Sequence, residues 1–222
     1  MHGRLDLFTD LVSRIRSDSD SRIPKKTRII LIGDIVDRGP DAASLVERLR
    51  ALSTQRGGLV ILRGNHEDIM IDALRGDLEA LENWLKFGGD STLRSWGVAQ
   101  ALIEGPLPEL LAAAHETIPR ETIDWLDGLP LSFRSGDYFF VHAGVRPGVS
   151  LKRQESDDLL WIGSEFLESQ ADHSAIIVHG HSIFEDGPEF HSNRIAIDTG
   201  AYRTGKLCAV GFEDSEQWVL ST

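Results

Sequence analysis

Four residues of metal-ligand type follow short apolar runs in this chain. Asp34 comes after Arg28-Ile29-Ile30-Leu31-Ile32-Gly33, and Asn65 after Leu59-Val60-Ile61-Leu62-Arg63-Gly64. His142 directly follows Tyr138-Phe139-Phe140-Val141, and His181 follows Ala175-Ile176-Ile177-Val178-His179-Gly180. His2, near the first residue, is a possible fifth member. Taken singly, each has an ordinary role, as a turn or cap residue or as a hydrogen-bonded polar group. Repeated at the same end of successive runs, they point to one site. Imidazole, carboxylate and amide together suit borderline divalent metals such as Mn²⁺, Fe²⁺ or Zn²⁺. The lack of cysteine in the set argues against a structural zinc site.

Such a site needs elements that bring the run ends together. Apolar runs this short and continuous, rich in β-branched residues, read as strands buried on both faces. Arg194-Ile195-Ala196-Ile197, leading into Asp198-Thr199-Gly200, is another. In open α/β sheets, ligands bind beyond the carboxyl ends of the strands, where the polar residues lie here. Pro40 suits the first turn of a helix that continues through Ala43, Leu45, Val46, Leu49 and Leu52, and Leu5 to Ile15 is a second amphipathic candidate. From Glu67 to about Arg134 the apolar spacing is helical, broken at Gly88-Gly89 and Pro106, with no convincing strand. Residues 207–220 alternate like a closing hairpin around Glu213-Asp214-Ser215. The expectation is one α/β domain over residues 1–222, with a helical insertion at about 67–134.

Composition narrows the class. The chain has 222 residues, 41% hydrophobic and 26% charged, an ordinary globular balance. Its net charge of −12 repels a phosphate backbone, so no nucleic-acid partner is expected. A local positive pocket for one phosphate remains compatible with that field. A single cysteine, Cys208, can form no internal disulfide, and the N-terminus holds no apolar signal stretch. No apolar run is long enough to cross a bilayer, so no membrane association and a cytoplasmic location are expected.

In order along the chain stand Gly33-Asp34-Ile35-Val36-Asp37-Arg38-Gly39, Gly64-Asn65-His66-Glu67, His142-Ala143-Gly144 and Gly180-His181. This ordered set resembles the signature of the calcineurin-like metallophosphoesterases, within them the serine/threonine protein phosphatase group of bacterial and bacteriophage lambda type. Symmetrical diadenosine tetraphosphatases share these blocks. The resemblance spans nearly the whole chain, from His2 to Ile197-Asp198-Thr199-Gly200-Ala201. It implies a layered β-sandwich flanked by helices (α/β/β/α), and two divalent metal ions, Mn²⁺ above Fe or Zn. Asp34 would bridge the two metals. His2 would sit on the first; Asn65, His142 and His181 would complete the second. A hydroxide held between the metals would attack phosphorus in line. His66 would protonate the leaving oxygen, with Asp37 holding and polarising it, and Arg38 and Arg63 would clamp the phosphoryl oxygens. Asp198 reads as strand-end support, and His179 as a residue lining the pocket. His115, His173 and His191 read as surface or loop histidines, and Trp84, Trp96, Trp125, Trp161 and Trp218 as core.

The chain departs from that pattern in two places. The family opens with a strand and Asp-x-His-Gly, whereas this sequence starts Met1-His2-Gly3, so the first Asp and the central strand before it are missing. A start placed at an internal Met, or a trimmed chain, is the expected reason, because loss of a central strand exposes sheet edges and core. Used as it stands, the chain leaves the first metal only His2 and Asp34. The second departure follows Asp158-Leu159-Leu160-Trp161-Ile162, where lambda-type relatives often carry a phosphate-holding arginine and this chain has Gly163. The leading expectation is a phosphomonoesterase acting on phosphorylated protein Ser/Thr or small phosphoesters. Two others stand beside it: symmetrical cleavage of dinucleoside tetraphosphates, and a metal-poor, catalytically impaired binding or regulatory protein.

Overall fold

A computed structural model describes residues 1–54 and 58–222. The first two apolar runs form β1 (Ile29–Leu31) and β2 (Leu59–Ile61), paired in parallel with Ile30 opposite Val60. The later runs build a five-stranded sheet from β3 (Ser132–Ser135), β4 (Tyr138–Val141), β5 (Ile176–His179), β6 (Glu189–Phe190) and β7 (Arg194–Ala196). Its order is β3-β4-β5-β7-β6, with β4, β5 and β7 parallel at the centre. The expected closing hairpin is β8 (Cys208–Glu213) with β9 (Glu216–Ser221).

Helices α1 (Leu5–Asp20) and α2 (Ala42–Ser53) flank β1 in sequence. The helical insertion is α3 (Asn65–Leu74), α4 (Leu78–Lys86), α5 (Gly89–Ser95), α6 (Gln100–Ile103), α7 (Leu107–Thr117) and α8 (Arg120–Asp127). After β4 come α9 (Ser156–Trp161) and α10 (Ser164–Leu167), and after β7 the short α11 (Ala201–Thr204).

The alternation of side chains along β4 and β5 explains the layering. Phe139, Val141 and Ile177 pack on Leu159, Ile162 and Phe166 of the α9–α10 side. Phe140 and Val178 face the other way and meet Leu62, Ile30 and Ile32, with Val210 and Phe212 of the hairpin. On the far side of β1 and β2, Leu45, Val46 and Leu49 of α2 join Met70, Leu81 and Trp84 of the insertion. Helices, two strand layers and helices therefore stack in the expected α/β/β/α order.

Several details correct the sequence reading. β1 is only half-buried, not buried on both faces. Among the described residues its outer edge pairs with no strand, and a cleft of about 510 Å³ separates it from β8, lined by Ile30, Ile32, Phe140, Val210 and Phe212. Among the described residues a gap thus lies between two open strand edges. β3 lies inside the span read as purely helical; its Ser-Phe-Arg-Ser sequence has one apolar residue and gave no alternation to detect. α1 runs past Ile15 to Asp20, its end held where the Trp218 indole donates to Asp18 at 3.2 Å and Arg22 lies over that ring. His173 lies in a loop, as read, but is buried against Phe166 and not on the surface. Trp84 is fully buried as expected, but Trp161 is 38% exposed and no core residue. No helix among the described residues is long and apolar enough to cross a membrane.

The loops after β1 and β2 pass so closely that Gly33 has no room for a side chain. It sits at φ +89°, and an added Cβ would lie 2.5 Å from the Gly64 nitrogen. Gly33→Ala should therefore cost roughly 3 kcal/mol, combining left-handed strain with that clash. Urea denaturation measures it, and an unchanged midpoint would show that the two loops can separate freely.

Candidate metal and phosphate site

The site is assembled where the β1, β2, β4 and β5 loops meet. Among the described residues, seven non-glycine residues have positive φ, and His2, Asp34, Asp37, Arg38 and His181 are five of them. Such strain persists only where the surroundings over-determine the backbone. Glu67 does this for the β1 loop. It is fully buried at the first turn of α3; one carboxylate oxygen accepts from Ile35 N–H at 2.8 Å and Val36 N–H at 3.1 Å. The other accepts from Asp34 N–H and Gly64 N–H, each at 2.8 Å. The Asp37 N–H donates to Thr92 Oγ1 at 2.8 Å.

Around this frame, lone pairs converge. Asp34 is buried, with one carboxylate oxygen 3.3 Å from His2 Nε2 and the other 3.4 Å from His142 Nε2. Each imidazole's Nδ1 faces a carbonyl oxygen, Val36 O at 2.9 Å for His2 and Ile32 O at 2.7 Å for His142. Donation there fixes the proton on Nδ1 and leaves Nε2 as a lone pair aimed inward. For His142 that lone pair meets Asn65 Oδ1 at 2.8 Å as well as Asp34, a close cluster of lone pairs. His181 Nδ1 lies 3.2 Å from the same amide oxygen. Converging acceptors of this kind fit cations. Two such groups share Asp34: His2 with His66, and His142 with His181.

Electrostatics agree with that chemistry. Burial would raise the Asp34 carboxyl, but His142, His66 and His2 hold it well below the usual carboxylate range. Burial pulls His2 down more than Asp34 lifts it, and burial with neighbouring His142 pushes His181 down to about 4. Both are therefore neutral imidazoles near neutral pH, the form that ligates metals. His66 goes the other way, since Asp34 and Asp37 outweigh its burial and raise it.

His66 and Asp37 form a separate unit beside the acceptors. His66 Nδ1 lies 2.6 Å from Asp37 Oδ2. That fully buried carboxylate also accepts from the Trp84 indole at 2.9 Å and from Thr92 Oγ1 at 2.7 Å. Arg38 reaches His66 Nε2 at 3.1 Å and His2 Nε2 at 3.3 Å, its guanidinium over the Tyr202 ring. Arg63 is not brought to this cluster: it donates to Asp127 at 2.8 Å and lies 3.5 Å from Asp68, with its Nε buried and unpaired among the described residues. His179 packs behind the site on Phe166, and Asp198 accepts from Gly200 N–H, a loop-shaping bond. Sequence reasoning missed the organising role of Glu67, the Trp84 and Thr92 bonds to Asp37, and Tyr202. Only Glu67 had a signal, as the third residue of a helix opening on Gly64.

The layered fold and the shared carboxylate between two imidazole groups define a phosphoesterase architecture. Residues 1–208 match the calcineurin-like phosphoesterase family, and the chain belongs to it. It is 28% identical over 217 residues to serine/threonine-protein phosphatase 1 of Salmonella typhimurium, covering 93% of this chain and 86% of that protein. It is 24% identical over 233 residues to the asymmetrical bis(5'-nucleosyl)-tetraphosphatase PrpE of Bacillus mycoides, covering 97% and 89%. A symmetrical bis(5'-nucleosyl)-tetraphosphatase of Aromatoleum aromaticum is 33% identical over 141 residues, which span 64% of this chain and 40% of that protein. In three dimensions the chain is similar to a solved structure of a candidate diadenosine tetraphosphatase, with a TM-score of 0.64 and 18% identity, covering 99% of this chain and 89% of that one.

Glu67→Gln removes one acceptor oxygen and turns an NH₂ group toward backbone donors. We expect a loss of about 2–4 kcal/mol in chemical denaturation, because buried N–H groups lose their partner. A change under 0.5 kcal/mol would show that the loop holds its shape without the carboxylate.

Proposed function

We propose that the protein is a two-metal phosphomonoesterase whose substrates are phosphorylated Ser/Thr residues of proteins or small phosphoesters. The observation that carries this reading is Asp34, each of whose oxygens faces a different inward imidazole nitrogen. On it, His2 and Asp34 would hold the first divalent ion, and Asp34, Asn65, His142 and His181 would hold the second, the mixed donors suiting Mn²⁺, Fe²⁺ or Zn²⁺. Bound there, the ions supply Lewis acidity, lowering the pKa of water and drawing charge from the phosphoryl oxygens.

The chain's own residues do the rest. Arg38 binds phosphoryl oxygens, its guanidinium already directed between His2 and His66. Once Arg38 leaves His66 Nε2 for the phosphoryl oxygens, His66, protonated on both nitrogens, donates the Nε2 proton to the leaving oxygen while its Nδ1–H stays on Asp37. The raised pKa of His66 favours its carrying that proton. Arg63 joins the clamp by exchanging Asp127 for a phosphoryl oxygen, and Gly163 supplies no further cation. Residues 1–222 act as one domain, and buried free Cys208 suits the reducing cytoplasm.

Tetraphosphatase relatives support a second reading, cleavage of dinucleoside tetraphosphates. Products from a phosphopeptide and from diadenosine tetraphosphate separate the two. A third reading, a metal-poor regulatory protein, is opposed by the intact unit of His66, Asp37 and Arg38.

Mn²⁺-dependent hydrolysis of p-nitrophenyl phosphate should fall about 10²–10⁴-fold in His66→Ala. Equal activity in that variant would remove His66 from the chemistry. Donor count predicts unequal metal sites, so calorimetric Mn²⁺ titration should resolve one tight and one weak ion; two equally tight ions would refute the two-ligand first site. An added Cβ at Gly163 meets nothing within 4 Å, and Gly163→Arg should lower KM. An unchanged KM would show that this position faces away from phosphate.

A further inference from the structure

Two exposed aromatic rings stand at the mouth of the site. Phe87 is 41% and Trp161 38% exposed. They come from separate elements, the C-terminal cap of α4 and the last residue of α9, yet their centroids lie 6.2 Å apart. Phe87 is 6.1 Å from the His66 ring, and Trp161 is 6.3 Å from that of His181. Aromatic contacts thus run without a break from the proton donor to a metal ligand.

Both rings are tied to the groups they flank. Arg38 donates to Phe87 O at 3.4 Å through Nε and to Gly88 O at 3.2 Å through its backbone N–H. The helix carrying Trp161 is held where Ala143, next to His142, donates its N–H to Leu159 O at 2.9 Å. Arg146 fixes the same helix through paired bonds to Asp158. Hydrogen bonds therefore tie the rim to Arg38 and to the segment beside His142.

Phe87 lies beside His66, which places the rim on the leaving-group side. We propose that this rim selects phosphoesters whose leaving group is a flat aryl ring, joined to the leaving oxygen directly or through one carbon. This rests on the proton-donor role given to His66 above, and of the two substrate classes proposed there it takes the small phosphoesters rather than phosphorylated Ser/Thr. An aliphatic leaving group would leave both ring faces wet, whereas an aryl group buries them and gains the stacking and edge contacts of aromatic pairs. A nucleoside sets its base a ribose away, beyond a rim this close to His66. A second phosphate extending past Trp161 would meet Asp68, Asp72 and Asp157, which line a groove of about 370 Å³ with that ring.

Calorimetry on the Mn²⁺-loaded protein tests this without turnover. The probes are benzylphosphonate, cyclohexylmethylphosphonate (matched in size but not flat), adenosine 5'-phosphonate and inorganic phosphate. Benzylphosphonate should bind roughly five- to tenfold more tightly than the cyclohexyl analogue. Trp161→Leu and Phe87→Leu should each erase most of that preference, Trp161→Phe should retain it, and phosphate affinity should be unchanged in all three. Equal binding of the two phosphonates, no binding of either, tighter binding of the adenosine probe, or a preference that survives both Leu variants would overturn the proposal. A preference found in a protein that hydrolyses no phosphoester would uphold the rim and refute the phosphatase reading instead.

Discussion

The Glu67 carboxylate is the interaction on which the site depends. It gathers four backbone N–H groups from two loops that would otherwise leave buried donors unpaired. Each N–H forfeits water on burial, and an unsatisfied one costs on the order of 1–3 kcal/mol. The carboxylate therefore does more than satisfy donors: it holds Asp34 at a positive φ. The same constraint explains the glycines on either side, since carboxylate and loops approach too closely for a Cβ at Gly33 or Gly64. Packing, hydrogen bonding and backbone strain are settled together at one buried side chain.

With the loops fixed, the acceptors are committed. Carbonyl oxygens take the Nδ1 protons of His2 and His142, so their Nε2 lone pairs point at Asp34 whatever occupies the space between. The arrangement is unfavourable for a protein without cations and well prepared for one that binds them. Preparation of this kind is what transition-state stabilisation requires, because the groups need no rearrangement when charge develops. In a chain of net charge −12, the site thus sets cation-suited acceptors beside the Arg38 guanidinium. The local field is set by Arg38 and by whatever the acceptors hold, not by the overall surface.

How much of this was legible in the sequence follows from the range of each signal. Asp34, Asn65, His142 and His181 could be found because strand ends are marked by local composition, and the fold brings such ends together. Asp37 and His66 came only with the family resemblance, because their contact spans 29 residues and no periodicity reports it. Trp84 and Thr92 were opaque for the same reason: nothing local says that an indole on α4 and a hydroxyl on α5 face one carboxylate. Arg63 shows the opposite case, a motif residue whose partners, Asp127 and Asp68, come from the insertion. Trp161 was misread because apolar size predicts burial on average, while a residue at the end of a short helix beside a site can stay exposed. The cleft bounded by β1 and β8 needed three dimensions to find.

Two parts of the molecule divide the work. Strand ends carry the acceptors, rigid because β4, β5 and β7 are buried on both faces. The helical insertion carries the indole and hydroxyl that hold Asp37, and also Phe87 at its C-terminal cap on α4. The insertion thus holds the His66–Asp37 unit and one of the two exposed rings, while Trp161 comes from α9 and most of the acceptors from strand ends. Substitutions at Phe87, Trp84 or Thr92 can alter the surroundings of His66 while Asp34 and its imidazoles stay where they are. The reverse does not hold, because α3 opens with Asn65 and positions Glu67 two residues later. Any change that shifts the start of that helix moves the acceptors and the proton donor together.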